Sequence, residues 1–112
     1  MQALTLDGFI VVTTPQELAK IDAKRSINMI LKLKVNVLGV VENFAGKMFG
    51  SGAGEEMARE QGLAFLGRLE LRADYRDTSR PTVLTSEAVL GEYRHVAEQS
   101  RAALARATAG VA

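Results

Sequence analysis

The sequence predicts an α/β fold: a three-layer parallel sheet of about three strands, with right-handed β-α-β crossovers and about three helices. Three observations carry that prediction. Apolar runs at 9–12, 35–41 and 63–67 are short and bounded by turn residues. The first two are rich in valine and isoleucine and nearly continuous, which is how strands buried on both faces read. Stretches of helical spacing separate the three runs, and short connections between parallel strands require right-handed crossovers.

Each element has its own local reasons. The first strand runs through Thr13-Thr14-Pro15 into a helix predicted over 16–33. Pro15 suits a first helical turn and Thr14 an N-cap. The second half of that helix, with Ile27, Met29, Ile30, Leu31 and Leu33, is apolar nearly all round, so cover on more than one side is expected. Lys32 and Lys34 close it, where cations suit the helix dipole. After the second strand, Gly50-Ser51-Gly52-Ala53-Gly54 leads into a helix predicted over 54–61, with Glu55 and Glu56 in its first turn and Gly62 as its C′ residue. The third strand, 63–67, is followed by a polar irregular stretch over 72–85. A last helix is predicted over 86–106, with Val89, Tyr93, Val96, Ala97 and Leu104 as one apolar stripe. Met29, Met48 and Met57 read as core fillers.

Composition narrows the function. The 112 residues carry a net charge of +1, so no strong field points to nucleic acid or an anionic membrane. With 47% hydrophobic and 24% charged residues, the chain reads as one globular domain over 1–112. No apolar run approaches the ~18 to 20 residues that span a bilayer, and a cytoplasmic protein is expected. There is no cysteine. That excludes disulfides, thiol catalysis and thiolate-held clusters by these residues.

The candidate chemistry is sparse. Thr13 and Thr14 stand at the C-terminal end of a parallel strand, where α/β sheets present ligand groups. The glycines of 50–54 could form an anion site at a helix N-terminus, but no lysine follows them, and a tight turn is the favoured reading. Asp22 and Lys24 read as solvated charges. His95, the only histidine, has no second ligand beside it. Arg68, Arg72, Arg76 and Arg80 form a loose basic set diluted by Asp74 and Asp77, which favours a solvated surface over a phosphate clamp.

Three stretches in order, "DGFIVVTTPQELAKIDAKRSINM", "LGVVENF" and "FGSGAGEEMAREQGLAFLGRLEL", resemble the C-terminal half of the Mrp/ApbC-type ATPases of the MinD/ParA-like P-loop class. The resemblance covers residues 7 to about 71. It implies a partial P-loop NTPase fold, binding of ATP with magnesium, dimerisation and the carriage of iron–sulfur clusters. Asn43 matches the family's base-contacting asparagine, and Thr13, Thr14 and Pro15 match a segment near the nucleotide. The family's Gly-rich loop with its lysines precedes the stretch matched here. Its Cys-x-x-Cys pair is absent, and Glu70-Leu71-Arg72-Ala73 replaces a Pro-Leu-Asp-Pro-like segment. The resemblance therefore implies no cofactor and no catalysis for the chain by itself. As partner it implies a second copy, or a separate N-terminal half carrying the P-loop. The alternative is a non-enzymatic interaction or dimerisation module that retains the fold.

Overall fold

A computed structural model describes residues 7–32, 36–46 and 50–111, apart from the side chains at 17–20, 22 and 109–111. Strand β1 (Phe9–Thr13) leads through a bend at Pro15-Gln16 into α1 (Glu17–Lys32). Strand β2 (Val37–Ala45) follows, then α2 (Ala53–Gln61), β3 (Phe65–Glu70), two short 3₁₀ turns (Ala73–Arg76 and Thr82–Leu84), and α3 (Glu87–Val111). The strands form one parallel sheet in the order β1-β2-β3, with Val11 opposite Val40 and Glu42 opposite Arg68. This is the α/β architecture that the three apolar runs predict.

The core has two halves, one on each face of the sheet. On one face Val11 and Val40 pack with Ala23 and Ile27 of α1 and with Met57 and Ala58 of α2. On the other, Val41, Leu66 and Leu69 pack with Ala103 of α3. Helix α2 ends as its sequence requires: Gly62 adopts φ 68°, ψ 29°, and its N–H donates to the carbonyls of Ala58 and Arg59. Only glycine takes that left-handed conformation without steric penalty. At the start of α3, the Ser86 hydroxyl accepts the Val89 N–H at 3.3 Å and so satisfies one of the helix's free amides.

Several expectations are corrected. β1 is buried on one face only: Val11 and Thr13 are buried, but Ile10 and Val12 are 41% and 58% exposed. The apolar run is continuous, yet α3 packs across β3 and β2 and leaves this part of its face open. The second half of α1 is likewise not covered all round. Ile27 is buried, while Met29 and Leu31 are 65% and 51% exposed, so Met29 is no core filler. Met57 is fully buried, and Met48, Lys34, Leu33 and Val35 lie outside the described residues. β2 continues past Val41 to Ala45, and β3 begins at Phe65 and runs to Glu70. Both strands thus contain charged residues that the sequence reading placed beyond their ends. The stripe of α3 also shifts. Val89 and Ala103 are buried, Val96 and Leu104 half-buried, and Tyr93 and Ala97 exposed.

Candidate functional site

In a parallel sheet all strands deliver their C-terminal ends to one edge, and ligand groups collect there. β1 brings Thr13 and Thr14, β2 brings Asn43 and Phe44, and β3 brings Glu70 to Arg72. A groove of about 370 Å³ runs beside β1, lined by Thr13, Thr14 and Asn43 together with Val11, Val12 and Ala23. Three of the four residues singled out from sequence therefore share one groove. The fourth, Pro15, is half-buried in the bend before α1 and is not part of its lining. The Thr13 hydroxyl donates to the Thr14 carbonyl at 3.3 Å, and the Asn43 side-chain oxygen accepts the Phe44 N–H at 3.0 Å.

Phe44 is held at φ 57°, a left-handed conformation that costs a bulky residue about 1–2 kcal/mol. The pairing of β2 with β3 is irregular between Glu42 and Ala45, so the strand bulges here. Bulges re-aim side chains at the rims of sheets. The Phe44 ring, 44% exposed, stands with Thr14, Gln16 and Leu71 around a notch of about 290 Å³ that joins the ends of the three strands.

A wider crevice, about 810 Å³, opens beyond β3 and is lined by Gly46 and by residues 70–76. Its wall is fixed by Glu92 of α3. The Glu92 carboxylate accepts Arg72 Nε and Nη2, both at 3.2 Å, and the Glu70 N–H at 3.2 Å. Arg72 also approaches Glu70 at 3.2 Å. The bond to Glu92 holds the Arg72 guanidinium above its ordinary pKa. Burial raises the Tyr75 phenol, with neighbouring Tyr93 and Glu92 adding to the effect.

The residue that sequence reasoning missed is Glu42. Its side chain is fully buried. It accepts the Gly52 N–H at 3.1 Å, the Gly54 N–H at 2.6 Å and Arg68 Nε at 3.3 Å. The amides that glycine-rich helix starts offer to anions are thus taken by an internal carboxylate. The tight-turn reading of 50–54 therefore stands, and its purpose is to receive Glu42. Gly54 is required by space: a Cβ there would lie 2.9 Å from Glu42 Cβ and 3.3 Å from Thr13 Cγ2. The signal in the sequence was a carboxylate inside an otherwise apolar strand run, twelve residues before a glycine-bounded helix start.

The remaining candidates are dispersed. Arg68 bridges Glu42 and Glu55, the latter at 2.7 Å. The bond to Glu55 raises its pKa most, and Glu42 adds to the effect. Arg72 is paired as described, and Arg76 and Arg80 are exposed, so the four arginines build no common clamp. Lys24 forms a half-exposed ion pair with Glu60 at 3.3 Å, of the kind worth about 0–1 kcal/mol. The Asp22 side chain is outside the described residues. His95 is exposed on α3 over Gly67. Among the described residues, no group of three His, Cys, Asp or Glu side chains converges in a way that could hold a metal ion. Among them, too, no helix is long and apolar enough to cross a membrane.

Comparison with known proteins places this geometry in context. Residues 1–105 match the ParA family, described as NUBPL iron-transfer P-loop NTPase. An iron-sulfur cluster carrier protein of Methanocaldococcus jannaschii is 35% identical, over 84% of this chain and 37% of the relative. The iron-sulfur cluster carrier protein of Escherichia coli strain K12 is also 35% identical, over 92% of this chain and 32% of the relative. The cytosolic Fe-S cluster assembly factor cfd1 of Emericella nidulans is 38% identical, over 62% of this chain and 24% of the relative. The chain spans about a third of the length of the curated carriers it matches.

Proposed function

Because this chain belongs to the ParA family of NUBPL-type iron-transfer P-loop NTPases, we propose that it forms the base-side portion of the nucleotide site of an iron–sulfur cluster carrier. The phosphate grip comes from outside residues 1–112. The observation behind this reading is the carboxyl edge itself. Thr13, Thr14 and Asn43 line one groove there, while the glycine-rich helix start is filled by Glu42.

Each group has a physical role in that reading. A carboxamide donates and accepts at once, as the edge of adenine requires. The Asn43 oxygen accepts the Phe44 N–H and keeps a second lone pair for a donor of the base, while its NH₂ meets an acceptor nitrogen. The Phe44 ring and Leu71 offer apolar cover at the notch. A nucleotide held in this way lacks the backbone cradle and lysine that neutralise its phosphates. With no cysteine in the sequence, the carried cluster depends on thiolates supplied from elsewhere.

Isothermal titration with Mg-ATP tests the reading. The chain alone is expected to show no hydrolysis and binding no tighter than about 1 mM. A micromolar constant would overturn the assignment of the phosphate grip to another segment.

A further inference from the structure

We infer that Glu42 is a positioning residue for the nucleotide edge. It holds the bulge in β2 that presents Asn43 and Phe44, and through it the start of α2 governs that edge. For its ligand this rests on the function proposed above; the hold on the bulge stands on geometry.

Glu42 occupies the last regular rung that crosses the whole sheet. It lies opposite Thr13 of β1 and Arg68 of β3. The next pairing with β3 joins Ala45 to Glu70. β2 thus advances three residues, from 42 to 45, while β3 advances two, from 68 to 70. One extra residue on one strand makes a bulge, and it bends that strand locally. Asn43 and Phe44 are the two residues inside it. Phe44 takes φ 57°, and its N–H donates to Asn43 Oδ1 at 3.0 Å. A bulky residue keeps such a conformation only where its surroundings over-determine it.

Both ends of the bulge are fixed. Downstream, the Leu71 N–H donates to the Ala45 carbonyl at 3.0 Å, and Gly46 and Gly50 exchange N–H···O bonds of 2.8 and 2.7 Å. Upstream, the tie is the buried side chain of Glu42. It joins the amides of Gly52 and Gly54, at 3.1 and 2.6 Å, to Arg68 Nε of β3, at 3.3 Å. Arg68 is braced in turn by Glu55 of α2 at 2.7 Å, and it lies over the Phe65 ring, 4.9 Å from the ring centre. Helix α2 also meets the rung directly, since a Cβ at Gly54 would lie 2.9 Å from Glu42 Cβ and 3.3 Å from Thr13 Cγ2. An apolar side chain would fill the same space without fixing a height along the strand. Hydrogen bonds to backbone amides do fix it, because they weaken steeply with misalignment. Neither Glu42 nor any of its partners lines the groove of Thr13, Thr14 and Asn43 or the notch at Phe44. Glu42 therefore acts on the edge through the bulge.

Nuclear magnetic resonance of the parent chain and three variants tests this. A positive φ brings an amide proton close to its own Hα, so Phe44 of the parent should give a strong intraresidue Overhauser signal. Glu42→Gln removes the charge and one acceptor, and Gly54→Ala pushes on the same rung from α2. Neither alters Asn43 or Phe44. Each should cut the Phe44 signal by half or more and shift the Asn43 side-chain amide. Because they act from opposite sides of the rung, either suffices if the other does not fold. The control is Ala103→Gly, in the core of the other face. It should lower the urea midpoint, because glycine weakens a helix interior, and yet keep the parent's Phe44 signal. Mg-ATP, titrated on the Asn43 and Phe44 resonances, should bind at least threefold more weakly to the Glu42 and Gly54 variants than to the parent or the control. Three results would overturn the inference: a Phe44 signal unchanged in both variants, an equal loss in Ala103→Gly, or nucleotide binding that survives loss of the signal. A parent whose Asn43 and Phe44 resonances ignore nucleotide refutes the base-side reading instead, and the Phe44 signal still reads the hold of Glu42 on the bulge.

Discussion

Replacing Glu42 by alanine should be among the most damaging single changes in this protein, although the residue is neither a hydrophobe nor a surface charge. The carboxylate is fully buried and holds three donors: the amides of Gly52 and Gly54 and the Nε of Arg68. The Gly54 bond is buried, so water cannot replace the lost acceptor, and an orphaned buried donor costs about 1–3 kcal/mol. The start of α2 loses the negative charge that complements its dipole, which in a partly buried setting is worth up to about 2 kcal/mol. The Gly52 bond is only partly buried, and the Arg68 side chain is 35% exposed and keeps Glu55 as a partner. Those two contribute little. The sum is about 1–5 kcal/mol, at its upper end a large part of the roughly 5–15 kcal/mol that holds a domain together. Glu42→Gln keeps the shape and one acceptor but turns an NH₂ toward a donor amide, so an intermediate loss of about 1.5–3 kcal/mol is expected. Urea denaturation followed by circular dichroism gives both values. An alanine variant within about 1 kcal/mol of the parent would refute the reasoning, because solvent or a neighbour would then be satisfying the α2 amides.

Other consequences follow from the same geometry. Gly54→Ala should destabilise by about 1–3 kcal/mol in the same assay, through the clash of its Cβ with Glu42. An unchanged midpoint would show that α2 can slide away at no cost. At Phe44, asparagine tolerates the left-handed conformation and valine does not. Phe44→Asn should therefore be more stable than Phe44→Val by about 1 kcal/mol or more, and the reverse order would mean that the bulge relaxes. Burial raises the Tyr75 phenol above the ordinary tyrosine value of 10.0. A raised folded-state pKa stabilises the fold fully below the unfolded value, and that contribution is lost as pH rises through the folded value. Absorbance titration near 295 nm should accordingly show a late-ionising tyrosine that Tyr75→Phe removes. Its persistence in that variant would refute the assignment.

How much of this was legible in the sequence depends on where charge sits. The three apolar runs gave the class and the succession of strands and helices, because short apolar runs bounded by turn residues and separated by helical spacing fit a parallel sheet layered with helices. The glycine at 62 gave the end of α2, because its left-handed conformation has a local cause. Strand ends were harder to read. Glu42 and Arg68 interrupt apolar runs, so a reading by pattern alone ends β2 and the third strand early, yet both residues lie inside strands because each answers the other and the amides of α2 complete the set. The exposure of Ile10 and Val12 was illegible for the opposite reason. Their pattern is that of a two-sided strand, and nothing within the run says how far α3 reaches across the sheet.

The missed carboxylate also bears on the residues that were found. Asn43 and Phe44 follow Glu42 directly in β2, and the irregular pairing with β3 begins at Glu42. Glu42 is tied at one end to the start of α2 and at the other to Arg68 of β3. It therefore fixes the last regular step of the strand before the bulge turns Asn43 toward the groove beside Thr13 and Thr14. Anything that frees Glu42 frees the register of Asn43 with it. A variant that loosens α2 is then expected to disturb the carboxyl edge without touching any residue that lines it.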